Sequence, residues 1–120
     1  MNTAHQTNPF IGAWELVSGS YIDDQGIVTD YEAAEMKALK VLAAHTFSFI
    51  STAKGVFYAA GGGDYSVAEG TYQETPALAS HESMLSQTYT FQYQLENEIW
   101  TNSRWKDGVR VEFEVWKRLP

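Results

Sequence analysis

Strict two-residue alternation of apolar and polar side chains is the feature that most constrains the fold of this chain. Between residues 88 and 95, tyrosine, phenylalanine or leucine occupies every second position, and threonine or glutamine fills the positions between. Successive side chains of a strand point to opposite faces of a sheet, so this pattern predicts a half-buried β-strand. Segments 46–51 and 109–115 alternate in a similar way and predict two further strands.

Turn-forming residues divide the rest of the chain into short segments rich in β-branched and aromatic residues. The predicted turns lie at 23–26, 54–55, 61–63, 69–70, 96–98 and 106–108. Less regular patterns between them predict strands at 12–21, 39–43, 56–60, 63–67, 70–75 and 99–105. About eight to ten short strands joined by hairpin turns predict an all-β antiparallel fold, which is either a sandwich or a closed barrel.

Three segments need a separate interpretation. Residues 31–40 have a composition that favours a helix, with alanine, glutamate, methionine and lysine in close succession, although their apolar spacing is poor and the end of the segment also fits a strand. Residues 76–83 predict a longer loop with room for one helical turn, and the triple glycine at 61–63 predicts a bend or bulge at a barrel corner. The polar residues 1–8 predict a disordered or extended tail, and 9–120 predict a single domain.

Composition excludes several classes of function. The chain of 120 residues carries 8 lysines and arginines against 15 aspartates and glutamates, a net charge of −7. Nucleic acids and anionic membranes need a basic protein face, so this charge argues against both as partners. The sequence has no cysteine, which removes disulfides, thiolate metal sites and a cysteine nucleophile. With neither a targeting signal nor an apolar stretch of about 20 residues, we expect a cytoplasmic protein.

No pattern of residues predicts catalysis or a metal site. The three histidines are scattered through the chain without the spacing of metal ligands. No helix is predicted to follow glycines 61–63, so they do not offer a phosphate site. The nucleophile motif G-x-S-x-G is missing from the sequence. We therefore expect no catalytic residue, metal or cofactor from motifs alone.

Three motifs along the chain are similar to those of a known family. The first is G-x-W at 12–14, the second is 61–66 followed by 70–75, and the third is EVWKRL at 114–119. In this order they resemble the small bacterial lipocalin-like domains of the calycin superfamily, which also contains the lipocalins and the fatty-acid-binding proteins. The resemblance covers roughly residues 8–119. The T-D-x motif of lipocalins and the helical lid of fatty-acid binders are not apparent.

The resemblance implies a closed or nearly closed up-and-down β-barrel of about eight to ten strands, in which the last strand pairs with the first. In such barrels the tryptophan of the first motif packs at the closed end against a basic side chain of the last strand. In this sequence those residues would be Trp14 and Arg118. A guanidinium over an indole face is favourable by about 0.5–2 kcal/mol, which agrees with such a pair.

The inward face of the last strand is open at this stage, because a shift of one residue exchanges the two faces. Apolar composition favours an inward face made of the valines and the phenylalanine of 109–115. The resemblance to fatty-acid binders implies the opposite face. That face would put Glu112, Glu114 and Trp116 in the cavity and Arg110 near its mouth.

Aromatic residues on the predicted strands are further candidates for a ligand site. Tyrosine combines apolar area with a hydrogen-bonding tip, so we expect at least two of the seven tyrosines to face a cavity. The candidate ligand-binding residues are Tyr58, Tyr72, Tyr89, Phe91, Tyr93, Arg110, Glu112, Glu114 and Trp116.

The function that fits these features is the binding of one small, largely hydrophobic molecule in a barrel cavity. An alternative is a barrel enzyme, such as an isomerase, cyclase or lyase, that uses Glu112 or Glu114 with a tyrosine or arginine partner. A third alternative is an interaction module with a filled core, which a cavity smaller than about 300 Å³ would favour. We expect a monomer or a homodimer, with neither nucleic acid nor membrane as a partner.

Overall fold

Nine strands and one short 3-10 helix make up the computed structural model, which describes residues 8–120. The strands are β1 (Gly12–Ile22), β2 (Val28–Asp30), β3 (Met36–Leu42), β4 (Thr46–Ala53), β5 (Val56–Ala68), β6 (Thr71–Ala79), β7 (Tyr89–Glu96), β8 (Ile99–Lys106) and β9 (Val109–Arg118). The 3-10 helix (Glu82–Ser86) connects β6 to β7. Within residues 8–120, no helix is long and apolar enough to cross a membrane.

The first strand closes the sheet into a barrel. One edge of β1 pairs with β3 near its start and with β2 at its end, and the other edge pairs with β9. The strand order is β2-β1-β3-β4-β5-β6-β7-β8-β9, with β9 returning to β1. Eight antiparallel strands thus form the barrel, and β2 extends its wall beside β1. The predicted closed up-and-down barrel is confirmed, and the sandwich is excluded.

Aromatic side chains fill one end of the barrel, which we call the closed end. Trp14, Trp100 and Tyr72 are each fully buried there, and Phe10 from the segment before β1 lies among them. The ring centroids of Trp14 and Trp100 are 5.3 Å apart, and those of Tyr72 and Trp100 are 4.9 Å apart. Both pairs meet edge to face, which is a favourable geometry for aromatic rings. The closed end is therefore the hydrophobic core of the domain.

Trp14 and Arg118 are in contact at the closed end, as the resemblance implied. The guanidinium carbon of Arg118 lies 4.3 Å from a ring centroid of Trp14, and the two residues pair directly across β1 and β9. Trp14 Nε1 donates a hydrogen bond of 3.0 Å to the carbonyl oxygen of Phe10. Arg118 Nη1 donates one of 2.8 Å to the carbonyl oxygen of Ile11. These bonds hold the segment before β1 over the closed end.

Most of the tail predicted at 1–8 lies outside the described residues, which begin at Asn8. Asn8 Nδ2 donates a hydrogen bond of 2.7 Å to the hydroxyl oxygen of Tyr65. That hydroxyl in turn donates one of 2.6 Å to the carbonyl oxygen of Ala43, which follows β3. Residue 8 is therefore attached to the barrel.

Two predictions of local structure are wrong. Residues 31–40 do not form a helix, because 31–35 make a turn and the remainder belongs to β3. Pairing of β3 with both β1 and β4 uses the backbone groups that a helix would need, and this tertiary pairing overrides the helix propensity. The loop predicted at 76–83 begins as the end of β6, and the 3-10 helix extends past it to Ser86.

The triple glycine at 61–63 lies inside β5 rather than between two strands. The register between β5 and β6 shifts between Gly62 and Gly63, so the predicted bulge is confirmed. A Cβ atom on Gly62 would lie 2.9 Å from the carbonyl oxygen of Phe47, and one on Gly63 would overlap the backbone of β6. Glycine thus lets β5 bend close to both neighbours, and two predicted strands become one of 13 residues.

Candidate functional site

A cavity of about 440 Å³ lies inside the barrel, between the closed end and the opposite end, which we call the mouth. Its apolar lining residues include Leu16, Met36, Ala38, Phe49, Ala59 and Phe91. Its charged lining residues away from the mouth are Lys40, Glu74, Arg104, Glu112 and Glu114. Asp24 and His81 line it at the mouth, on the turn after β1 and beside the 3-10 helix. The cavity therefore combines an apolar wall with a concentrated set of charges.

The inward face of β9 is the polar face, which decides between the two alternatives left open by the sequence. Glu112, Glu114 and Trp116 line the cavity, whereas the valines and the phenylalanine of 109–115 do not. Trp116 pairs across the strands with Trp100 of β8, and the centroids of the two indoles are 6.2 Å apart in the closed end. Burial of the Trp116 ring determines which face of β9 points into the barrel, and Glu112 and Glu114 lie on that same face.

Arg110 does not reach the cavity, so its predicted place near the mouth is wrong. The register between β8 and β9 shifts between Arg104 and Trp105, which leaves Val111 as an extra residue in β9. This bulge reverses the alternation: Glu112 pairs with inward-facing Arg104, but Arg110 pairs with the exposed Trp105. The guanidinium carbon of Arg110 lies 4.2 Å from the centroid of an outward-facing phenylalanine ring. Arg104 supplies the arginine of the cavity instead.

The predicted aromatic residues divide between the cavity and the core. Tyr89 and Phe91 of β7 line the cavity, and Tyr58 borders it with 52% of its surface exposed. Tyr72 lies beneath the cavity in the closed end. Tyr93 packs against Phe10 with ring centroids 5.0 Å apart. Tyr72 and Tyr93 are therefore core residues rather than lining residues, because they lie on the parts of β6 and β7 that the closed end covers.

Lys40 and Glu74 form a buried ion pair at the floor of the cavity, by which we mean the part that borders the closed end. Lys40 Nζ lies 2.5 Å from Glu74 Oε2, and the two side chains are 4% and 10% exposed. The hydroxyl of Tyr72 donates a hydrogen bond of 2.7 Å to the same carboxylate oxygen. Burial alone would lower the pKa of Lys40, but the charges of Glu74 and Glu114 outweigh burial and raise it. Lys40 is therefore charged at neutral pH.

Glu114 accepts hydrogen bonds from a second buried cluster at the floor. Trp116 Nε1 donates one of 3.0 Å to Glu114 Oε1, and Asn102 Nδ2 donates a longer one of 3.4 Å to the same oxygen. Asn102 is fully buried and accepts a hydrogen bond of 2.7 Å from Trp100 Nε1. The indole N–H groups of two core tryptophans are therefore hydrogen-bonded to Asn102 and Glu114 at the cavity floor.

Glu112 precedes Glu114 by two residues on β9 and forms an ion pair with Arg104. Arg104 Nε donates a hydrogen bond of 2.9 Å to Glu112 Oε1, and the side chains are 24% and 17% exposed. Burial, the charge of Glu114 and a hydrogen bond to that carboxyl group raise the pKa of Glu112 to about 8, although Arg104 lowers it. Near neutral pH this raised pKa keeps a proton on Glu112, beside Glu114, and we call the two glutamates the carboxyl pair.

The raised pKa of Glu112 makes the free energy of unfolding depend on pH. The group has an ordinary pKa of 4.5 in an unfolded chain and about 8 in the folded protein. Between these values the folded state holds a proton that the unfolded state has lost, so stability falls as the pH rises through this window. Glu112→Gln is a neutral substitute for the protonated acid and should remove the fall. At about pH 9 we expect the variant to be more stable than the wild type by at least about 1.4 kcal/mol, the equivalent of one pKa unit.

Urea unfolding at about pH 5, 7 and 9 measures this difference. Glu69→Gln is the matched control, because it makes the same substitution in the exposed turn between β5 and β6. Its free energy of unfolding should vary with pH in the same way as that of the wild type. Parallel pH profiles for the wild type and Glu112→Gln would contradict the raised pKa.

Four polar groups of the site were missed by the sequence analysis: Lys40, Glu74, Asn102 and Arg104. Local alternation does not reveal them. In β3, Lys40 and Leu42 face inward, whereas the apolar residues Leu39 and Val41 on the other face are exposed. Alternation alone would favour the opposite orientation of this strand, with Lys40 outward. The inward position of Lys40 therefore depends on register and barrel closure.

Tyr31 also lines the cavity, and no sequence signal points to it. It lies in the 31–35 turn, and its backbone N–H donates a hydrogen bond of 3.0 Å to the carbonyl oxygen of Gly19 on β1. Gly19 has a positive φ of 151° and packs against the Tyr31 ring, so a side chain at this position would collide with both the ring and β9. The position of Tyr31 thus depends on a contact between distant parts of the chain.

No family model and no curated protein matches this chain. The chain is similar to a solved structure, the crystal structure of an uncharacterized protein from Bacteroides eggerthii DSM 20697, with 14% sequence identity and a TM-score of 0.56. The match covers 92% of this chain and 99% of that chain. At this level of identity the similarity shows a shared fold, and the fold that it supports is an antiparallel β-barrel.

Proposed function

We propose that this protein binds one small molecule in its barrel cavity, in the manner of the lipocalin-like domains that its motifs resemble. The cavity volume of about 440 Å³ is the observation that carries the proposal. Small-molecule sites have volumes of roughly 300–1,000 Å³. A filled-core interaction module would have no need for a space of this size, so the volume favours the binding function.

The distribution of the lining residues suits a molecule with an apolar body and one polar group. Phe49 and Phe91 offer apolar contact area on β4 and β7. The carboxyl pair and Arg104 lie on β8 and β9. A ligand would be oriented with its polar group toward the carboxyl pair and its apolar body against the two phenylalanines. Polar groups at defined positions beside apolar surface are typical of sites that fix one orientation of a ligand.

Filling the cavity from inside tests the proposal. Ala59 of β5 lines the cavity and is 8% exposed, whereas the neighbouring Ala60 faces the opposite side of the same strand. We expect Ala59→Leu to weaken binding of phenylbutanol, a neutral probe with an apolar body, by about tenfold or more, since that loss corresponds to about 1.4 kcal/mol. Isothermal titration gives the affinity, and amide NMR shifts identify the residues that the probe contacts.

Ala60→Leu is the matched control and should bind phenylbutanol with the wild-type affinity. Thermal unfolding of both variants checks that each retains the fold. Wild-type protein whose cavity residues do not shift with phenylbutanol, or an Ala59→Leu variant that binds as well as the wild type, would contradict the proposal.

A barrel enzyme remains a second candidate, and the carboxyl pair is the observation that favours it. An acid that holds a proton near neutral pH can act as a general acid or base. Glu112 has such a pKa, and Arg104 is hydrogen-bonded to it. The two candidates differ in the state of the bound molecule. A binding protein returns its ligand unchanged after incubation, whereas an isomerase, cyclase or lyase returns a different compound, which NMR of the extracted ligand would detect.

The other expectations from the sequence stay predictions. They are a cytoplasmic location, a monomeric or homodimeric state, and the lack of nucleic-acid and membrane partners. The net charge of −7 supports the exclusion of polyanionic partners.

A further inference from the structure

We infer that the ligand is a monovalent cation. It is an amphiphile whose protonated amine contacts the carboxyl pair and whose apolar body contacts the aromatic side chains that line the cavity. This inference rests on the proposed binding function and adds the chemical class of the ligand. The observation behind it is an imbalance of charge inside the cavity.

Three carboxyl groups and two cationic groups line the inner part of the cavity. Lys40 is paired with Glu74 at 2.5 Å, and Arg104 is paired with Glu112 at 2.9 Å. Both cations therefore already have a carboxylate partner. Within residues 8–120, Glu114 forms no ion pair of its own and shares the charge of Lys40 with Glu74, although it is only 9% exposed. A buried carboxylate without a counter-charge is strongly unfavourable.

The hydrogen bonds of Glu114 do not remove this imbalance. Its two donors are the indole N–H of Trp116 and the amide of Asn102, and both donors are neutral. Both donate to Oε1, so within residues 8–120 no N–H group donates to the second carboxylate oxygen. In the free protein the proton held on Glu112 offsets the excess negative charge. An ammonium group can replace that proton and donate to the second oxygen of Glu114.

The aromatic lining of the cavity also favours a cation. Tyr31, Phe49, Tyr89, Phe91 and Trp116 all contribute to the wall. The faces of such rings carry negative charge density, which attracts ammonium groups. Arg104 already uses this property, because its guanidinium carbon lies 5.3 Å from the centroid of Tyr89. Both cations of the cavity are already hydrogen-bonded to carboxyl groups, so a carboxylate ligand would add a negative charge without a cation in excess to receive it.

Most elements around the carboxyl pair supply a titratable or charged group to the cavity. They are Tyr21 on β1, Tyr31 on the 31–35 turn, Lys40 on β3, Tyr58 on β5, Glu74 on β6, Tyr89 on β7, Arg104 on β8, and Asp24 and His81 at the mouth. Burial raises the pKa of Tyr21, Tyr31 and Tyr89, so these tyrosines stay neutral between about pH 6 and 8. Lys40, whose pKa is raised, stays charged in that range. The carboxyl pair is the group whose proton an incoming cation displaces.

Displacement of a proton by the ligand links binding to pH. Below about pH 8 the free protein must release the proton on Glu112 when the amine binds, so the affinity should rise with pH by up to about tenfold per unit. An alkylamine remains protonated throughout this range, because its pKa is close to that of lysine, about 10.4. A neutral alcohol displaces no proton, so its affinity should not rise in this way.

A matched series of probes tests the inference: phenylbutylamine, phenylbutanol and phenylbutanoate share one apolar body and differ in the terminal group. We expect the amine to bind at least about tenfold more tightly than the alcohol near pH 7, with the carboxylate weakest. Isothermal titration in buffers of different ionisation enthalpy should show proton release with the amine. Glu112→Gln and Glu114→Gln should each abolish the preference for the amine, because either variant balances the charges. Glu69→Gln, which removes an exposed carboxylate, should retain the preference.

The outcomes separate this inference from the proposed function. If the alcohol binds in the cavity as tightly as the amine, or if the carboxylate binds most tightly, the cation inference is overturned while the binding function stands. A preference for the amine that persists in both glutamine variants would also overturn the role of the carboxyl pair. If none of the three probes shifts the cavity residues, the inference and the proposed function fail together.

Discussion

Lys40→Met is expected to lower the free energy of unfolding by about 3–5 kcal/mol, the typical cost of removing one partner from a buried ion pair. Lys40 and Glu74 are both buried, with Nζ and Oε2 2.5 Å apart. Methionine fills much of the space of the lysine side chain but leaves the Glu74 carboxylate without its cation. The Lys40 ammonium also lies 4.9 Å from the ring centroid of Trp116, so the loss reaches the packing of the closed end.

Urea unfolding measures this loss, and two variants serve as controls. Lys37→Met changes an exposed lysine on the other face of β3 and should alter stability by less than about 0.5 kcal/mol. The double variant Lys40→Met with Glu74→Gln removes the uncompensated charge and should recover a large part of the stability. A single Lys40→Met variant as stable as the wild type would show that this ion pair does not hold the cavity floor.

Trp14→Ala is expected to destabilise the protein by about 3–5 kcal/mol, because it removes a fully buried aromatic side chain from the core. The substitution deletes the edge-to-face contact with Trp100 and the stacking surface of Arg118. It also removes the N–H that donates to the carbonyl oxygen of Phe10. These contacts join β1, β8, β9 and the segment before β1, so their loss should loosen barrel closure.

Trp105→Ala is the control for Trp14→Ala, because Trp105 also lies on a barrel strand but is 51% exposed. We expect its melting temperature to stay close to that of the wild type. Near-UV circular dichroism should report the loss of aromatic packing in Trp14→Ala. An unchanged melting temperature for Trp14→Ala would contradict the structural role of this residue.

The position of the cavity charges follows from the same closed-end packing. Trp14 pairs across the strands with Lys40, and Trp116 pairs with Trp100. Because alternate residues of a strand share one face, Trp116 at the floor places Glu114 and then Glu112 along the cavity wall. A change in this packing should therefore alter the ligand site as well as stability.

Local features of the sequence determined the class of the fold and most of its strands. Alternation at 88–95 and 109–115 corresponds to β7 and β9, and the turn at 106–108 joins β8 to β9. The alternation also limited the last strand to two possible inward faces, one of which contains Glu112, Glu114 and Trp116. These predictions succeeded because the period of a strand and the geometry of a tight hairpin depend on residues close together in the chain.

Tertiary structure alone decided which side chains meet in the cavity. Arg110 was placed wrongly because the bulge at Val111 arises from the pairing of β9 with β8, and one extra residue moves a side chain from the cavity to the outer surface. Residues 36–40 became strand because β1 and β4 pair with them on both sides. Lys40 and Glu74 are 34 residues apart in the chain, and the closed barrel brings them together. The sequence by itself therefore determined an all-β antiparallel fold, for which the family resemblance implied a closed barrel. The pairing of charges in the site depends on register between strands, which no local pattern encodes.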